Sequence, residues 1–172
     1  MRISRGPLAA GVLTALFIGA LTVWAGEPRA PQRQSPGGSH SDLITRGRYL
    51  VMIAGCNDCH TAGFAQAGGT TPESEWLTGD TVGWRGPWGT TYPTNVRLLV
   101  QSMSEEGWVG WARTARTAPP MPYWALNAMT PGDLRAVYQF IRSLGPRGVP
   151  APADLPPGQI PSTPSILFPD SK

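Results

Sequence analysis

The run Cys56-Asn57-Asp58-Cys59-His60 decides how this chain is to be read, because it takes up both of the chain's 2 cysteines. Four chemistries fit a pair at this spacing. A structural disulfide suits an exported protein. A thioredoxin-type redox pair requires a βαβ context, which the surrounding sequence does not provide. A zinc site requires a fourth ligand, and His40 is the remaining strong nitrogen or sulfur donor. The fourth chemistry is covalent attachment of haem: each cysteine adds to one porphyrin vinyl group, and the histidine that follows is held beneath the iron. That chemistry explains the spacing, so the run is read as the attachment site of one haem c through Cys56 and Cys59, with His60 as an iron ligand.

Upstream, a helix is predicted from Asp42 to about Ala54, with Ser41 or Asp42 as its cap. Leu43, Tyr49, Leu50 and Ile53 recur at near-helical spacing. Gly47 sits mid-helix, where glycine costs stability, and close approach of another helix is a reason to keep it. Residues 26–40 are polar and rich in Pro and Gly, and read as a flexible linker that ends on an exposed loop histidine, His40. Residues 1–25 carry Arg2 and Arg5, then an uncharged apolar run from Leu8 to Trp24, then Val23-Trp24-Ala25. This is the pattern of a secretory signal cut after Ala25, which would place the protein in a bacterial periplasm. The alternative is an uncleaved inner-membrane anchor facing the periplasm, since the apolar run, at about 17 residues, is near the lower limit for a spanning helix.

Downstream, residues 61–103 show little helical pattern and are studded with Gly, Pro and the aromatics Trp76, Trp84, Trp88 and Tyr92. Such a segment needs something large to pack on, and a buried porphyrin would serve. A second helix is predicted from Glu105 to about Arg116, capped by Ser104, with Trp108, Trp111, Ala112 and Ala115 on its apolar face. The third is the clearest. Thr130 caps it, Pro131 and Asp133 fit its first turn, and Leu134, Val137, Tyr138, Ile141 and Leu144 form its stripe until Gly145-Pro146 stops it. Residues 146–172 form a proline-rich tail that either wraps the domain or stays disordered.

A second iron ligand must come from elsewhere, and methionine is the usual partner of histidine in haem proteins that carry electrons. Met121 is the first choice because Pro119-Pro120-Met121-Pro122 stiffens its loop and lowers the entropy cost of presenting a weak thioether ligand. Met129 is second; Met103, Met52 and His40 are the others. Composition sets further bounds. The 21 Gly and 19 Pro demand a loop-rich chain. Fourteen basic side chains face 11 acidic ones, and Arg2 and Arg5 fall in the export segment, so no basic stripe points to nucleic acid.

The attachment run, Gly47 with Tyr49, and the last helix with Leu134 and Tyr138 resemble class I cytochromes c from about Ser41 to Leu144. Gly86-Pro87-Trp88-Gly89-Thr90-Thr91-Tyr92-Pro93-Thr94-Asn95 and Pro120-Met121-Pro122-Tyr123-Trp124 look like the bacterial branch that includes cytochrome subunits of membrane-bound dehydrogenases. In that branch the methionine of the Met-Pro motif is the axial ligand, which favours Met121. The resemblance implies an all-α cytochrome c fold over residues 41–145, a few helices around one covalent haem with long Gly/Pro-rich loops, and a Gly47–Tyr138 helix crossing. Many relatives in that branch carry several haems, whereas this chain has a single attachment run. Arg85, Trp88, Tyr92, Asn95 and Arg97 are the candidates to hold the haem propionates, because buried carboxylates need donors or cations.

Three functions follow. The first is a single-electron carrier between periplasmic or membrane-bound redox partners, itself not an enzyme, because a His/Met iron has no open position for substrate. The second is a cytochrome subunit of a larger oxidoreductase, bound through the linker and tail. The third is a five-coordinate haem enzyme or sensor, which would need Met121 absent from the iron and polar groups in its place.

Overall fold

The computed structural model describes residues 39–169. The expected export segment, and the linker up to residue 38, lie outside the described residues. The helices run in the order α1 (His40–Ile53), α2 (Cys56–His60), α3 (Val96–Gln101), α4 (Glu105–Thr114), α5 (Tyr123–Ala128) and α6 (Pro131–Leu144). A short 3₁₀ turn at Glu73–Glu75 and the strands β1 (Gly83–Gly86), β2 (Gly89–Thr91) and β3 (Ser165–Leu167) complete the elements. No described helix is long and apolar enough to cross a membrane.

Helix α1 begins two residues earlier than its pattern predicts. The Ser39 hydroxyl accepts from the Asp42 backbone N–H at 3.2 Å, and the Asp42 carboxylate accepts from the Ser39 N–H at 2.9 Å. This reciprocal capping box satisfies two donors that a helix start leaves orphaned. His40 is therefore an exposed helical residue and not a loop histidine. At the other end Gly55 turns left-handed, at φ +68°, which only glycine adopts at little cost. That turn lets α2 start at Cys56 at once, so the attachment run is itself a short helix hung on the end of α1.

Helix α6 forms as its sequence predicts. The Thr130 hydroxyl accepts from the Asp133 N–H at 3.1 Å, and Leu134, Val137, Phe140 and Ile141 are buried. It crosses α1 where Gly47 meets it. A Cβ on Gly47 would lie 2.0 Å from the Ala136 carbonyl oxygen and 2.7 Å from the Phe140 Cβ. The glycine is thus required for close approach, but against Ala136 and Phe140; Tyr138 instead sends its hydroxyl to the Met103 carbonyl at 3.0 Å. We expect Gly47→Ala to cost about 3 kcal/mol, the upper end for an overpacked core. Chemical denaturation checks this, and a midpoint equal to the parent's would contradict the crossing.

Helix α4 carries Trp108 into the core, where its indole N–H donates to the Leu134 carbonyl at 2.9 Å. The helix stops at Thr114, short of Arg116, and Trp111 stays 37% exposed. Helices α3 and α5 were not legible in the sequence, as six residues each is too short to show a period.

The expectation of an all-α fold is corrected by a small sheet of order β2-β1-β3. Strands β1 and β2 form an antiparallel hairpin with Trp84 opposite Thr91. Strand β3, from the tail, pairs parallel to β1 with Trp84 opposite Ile166. The tail therefore wraps the domain. Leu155 exchanges backbone hydrogen bonds with Thr90 at 2.9 and 2.8 Å, the Asp154 carboxylate accepts from the Tyr92 N–H at 2.9 Å, and Phe168 packs on Trp84 and Trp88. The loop-rich segment that sequence alone leaves unsupported is thus held from outside by the tail.

Candidate functional site

Helix α2, the β1–β2 hairpin, the Met121 loop and the buried faces of α4 and α6 enclose a cavity of about 420 Å³. Cys56, Cys59, His60 and Met121 all line it. So four of the residues singled out in sequence, three of them within Cys56–His60 and the fourth at Met121, converge on one space. The rest of the wall is largely apolar, with Leu77, Trp84, Val96, Trp108, Val137 and Ile141 among its members.

The His60 imidazole is fixed by one hydrogen bond. Its Nδ1–H donates to the Thr94 carbonyl at 2.7 Å, which leaves Nε2 as the nitrogen with a free lone pair. Burial pushes its pKa below the ordinary value, with the Thr94 bond acting the other way. Burial thus favours the neutral ring, the form in which an imidazole ligates a metal. Asn57, inside the attachment run, is almost wholly buried. Its carbonyl accepts from the Thr61 hydroxyl at 2.7 Å, and that oxygen in turn accepts from the Leu77 N–H at 2.8 Å. These bonds lock α2 to the core, a role the sequence did not reveal because its partner, Leu77, is brought in by the fold.

The cysteine thiols are free and not bonded to each other. Burial pushes the Cys56 thiol up to about 11 and raises Cys59 as well. In both, burial disfavours the thiolate. Among the described residues no group of three or more His, Cys, Asp or Glu side chains is placed to hold a metal ion, so the zinc alternative finds no ligand set.

The methionines sit in different surroundings. Met129 and Met103 pack against the hydrophobic core, although Met129 also reaches the cavity wall. Met52 is 39% exposed and accepts a long hydrogen bond from the Asn57 amide at 3.7 Å. Met121 lines the cavity without belonging to the core cluster. Its loop is tied to the hairpin, because the Thr91 hydroxyl donates to the Pro119 carbonyl at 2.6 Å.

The propionate candidates fare less well. Arg97 is buried, but its guanidinium donates to the carbonyls of Gly145 at 2.6 Å, Ser74 at 2.7 Å and Leu144. It caps the C-terminus of α6, where the last carbonyls lack partners. Asn95 caps α3 by accepting from the Leu98 N–H at 3.1 Å, and its amide donates to Arg147 and Val149 carbonyls. Trp88 packs on Phe168, with its indole N–H donating to the Trp84 carbonyl at 3.3 Å. Arg85, Trp88, Asn95 and Arg97 do not line the cavity. Tyr92 does, with its hydroxyl paired to Thr163 at 3.0 Å. For Trp88, Asn95 and Arg97 the donors go to backbone carbonyls made available by the fold. We expect Arg97→Gln to lower stability by about 3 kcal/mol, as carbonyls lose a charged donor, while leaving any haem spectrum unchanged. A spectral change with full stability would return Arg97 to the site.

The donor set fits haem c: two free thiols, an imidazole with one uncommitted nitrogen, a thioether, and an apolar wall. Cys56 and Cys59 would hold the porphyrin, and His60 and Met121 its iron. A haem supplies an iron that gains and loses one electron. The chain's own residues orient the imidazole, exclude water through the apolar wall, and stiffen the thioether loop.

Over 157 residues the chain is 29% identical to the fructose dehydrogenase cytochrome subunit of Gluconobacter japonicus, a match covering 85% of this chain and 30% of that protein. The chain thus spans less than a third of that relative's length. No family model matches the chain, and no solved structure matches it. Similarity to a cytochrome implies haem, and the run Cys56 to His60 is where this chain can attach it.

Proposed function

We propose that the protein is an electron-transfer cytochrome with one covalently bound haem c, its iron held between His60 and Met121. The observation that carries this is the convergence of Cys56, Cys59, His60 and Met121 on one apolar cavity, with the His60 Nδ1–H committed to Thr94. A His/Met iron is closed to substrate, so the haem relays electrons and performs no chemistry on a bound molecule. A low-dielectric wall and a thioether ligand both favour a raised reduction potential.

Of the two electron-transfer readings, the comparison favours the subunit over the free carrier. The relative is a dehydrogenase's cytochrome subunit. On this reading the chain receives electrons from a dehydrogenase and hands them to a membrane-side acceptor. Export to the periplasm, by cleaved signal or inner-membrane anchor, belongs to the same proposal, since residues 1–25 have the pattern of an export segment. Affinity purification of the full chain from gently solubilised native membranes tests it. Co-purification of a dehydrogenase whose substrate reduces the haem is the expected result. A chain recovered alone from the soluble periplasmic fraction would return the free-carrier reading, and one recovered from the cytoplasm would overturn the export.

A further inference from the structure

One short segment, residues 90–95, is bonded both to the ligand residues and to the tail. On the ligand side, the Thr91 hydroxyl donates to the Pro119 carbonyl at 2.6 Å, and the Thr94 carbonyl accepts from the His60 Nδ1–H at 2.7 Å. The residues between and beside them bond the other way. Thr90 exchanges two backbone hydrogen bonds with Leu155, at 2.9 and 2.8 Å. The Tyr92 N–H donates to the Asp154 carboxylate at 2.9 Å, and the Tyr92 hydroxyl shares a hydrogen bond with the Thr163 hydroxyl at 3.0 Å. The Asn95 amide donates to the carbonyls of Arg147 at 2.8 Å and Val149 at 3.1 Å. Positions 91 and 94 thus serve the ligand residues, while positions 90, 92 and 95 are tied to the tail.

His60 and Met121 depend on this segment unequally. His60 adjoins Cys59, so a haem bonded through Cys59 keeps the imidazole beside its iron. Met121 has no such tether. A thioether is a weak lone-pair group, and its hold on a metal depends on how well it is presented. Pro119, Pro120 and Pro122 have no N–H to donate, so their stretch is tied to the hairpin by what donates to it, the Thr91 hydroxyl. Thr91 keeps its place only while its neighbours keep theirs, and Tyr92 is buried against the cavity between Thr91 and the tail. Resting on the haem reading above, we propose that Asp154 and Thr163 are positioning residues: by fixing Tyr92 they hold Thr91 against Pro119, and so keep the Met121 thioether on the iron. The tail is then a latch on the sixth iron position as well as a support for the hairpin.

The two residues separate the possible causes. Thr163 lies off the cavity wall, so it acts on the iron only through Tyr92. Asp154 lines the wall and is ionisable, so its bond and its charge must be told apart. Asp154→Asn removes the charge and keeps an oxygen that can accept from the Tyr92 N–H, whereas Asp154→Ala removes both.

The test is the rate at which saturating imidazole replaces methionine on the oxidised iron of the haem-loaded full chain, followed by stopped flow as the Met–iron band disappears. That rate reports how often the thioether leaves, an opening that precedes entry of the new ligand. In Asp154→Ala with Thr163→Val it should rise at least about tenfold, as the loss of one charged and one neutral hydrogen bond implies. Asp154→Asn with Thr163→Ser should stay within about threefold of the parent. Leu134→Val, a core change off the cavity wall, should lower the denaturation midpoint and leave the rate alone. Should the disruptive pair fail to load haem, Thr163→Val alone carries the expectation, at about threefold for one neutral hydrogen bond. An unchanged rate in the loaded disruptive variant overturns the proposal. So does a conservative pair as fast as the disruptive one, or a Leu134→Val rate that rises as much, since the rate would then only follow global stability. A parent chain that takes up no haem, or whose loaded iron shows no Met–iron band, sinks the reading on which the proposal rests, a failure seen before any variant is made.

Discussion

A chain carrying Cys56→Ala and Cys59→Ala together is expected to bind no covalent haem and to fail to fold stably. The first outcome follows because both attachment atoms are gone. The second follows from the cavity. A space of about 420 Å³, at about 24 cal/mol per Å³ of cavity left in a core, represents up to about 10 kcal/mol. The figure is an upper bound because this cavity opens to solvent. A domain of this size has a total stability of about 5–15 kcal/mol, so the empty protein keeps little or none. The wall explains why collapse cannot repair the loss. Val137 and Ile141 on α6 and Trp108 on α4 are fixed by the α1–α6 and α4–α6 packing and cannot close the gap without breaking it. Haem staining of a denaturing gel checks attachment, and proteolysis checks folding. A double variant that still resists protease would show that the tail and helices suffice alone.

Met121→Ala is expected to keep covalent haem but lose the weak absorption band at about 700 nm that reports methionine on oxidised iron. The midpoint potential should fall by more than about 0.1 V, part of the roughly 0.8 V range that axial ligands control. Met129→Ala should leave the band in place and act on stability, costing about 2 kcal/mol or more as a partly buried methionine lost from packing. The contrast rests on position, since Met129 packs against the core cluster and Met121 does not. The Met121 loop is held through Pro119 by the Thr91 hydroxyl. Retention of the band in Met121→Ala, with its loss in Met129→Ala, would exchange the two roles.

Both results concern residues that the sequence already singled out. The attachment run was legible because its chemistry is local: three residues within five positions state their own geometry. Helix α6 was legible for a similar reason, since its cap, stripe and stop are all written along 16 or so residues, within the usual length of a periodic helix. The sheet was not. Its strands are three or four residues long, and β3 joins β1 from about 80 residues away, in a segment with no alternation to read. The surroundings of two propionate candidates were illegible for a related cause. Arg97 and Asn95 look like free donors in sequence, but α6 ends beside the first, and Arg147 and Val149 pass beside the second. Gly47 stood between the two cases. Its need for close approach was legible, while the identity of the atoms it meets, Ala136 and Phe140, required the fold.

A haem bonded through Cys56 and Cys59 would carry His60 and Met121 on its iron. Near-infrared magnetic circular dichroism of the oxidised, unaltered protein reads both axial ligands in one spectrum. A single low-spin species with the signature of one histidine and one methionine is the expected result. A high-spin iron, a bis-histidine signature, or a purified full chain that carries no haem would contradict it.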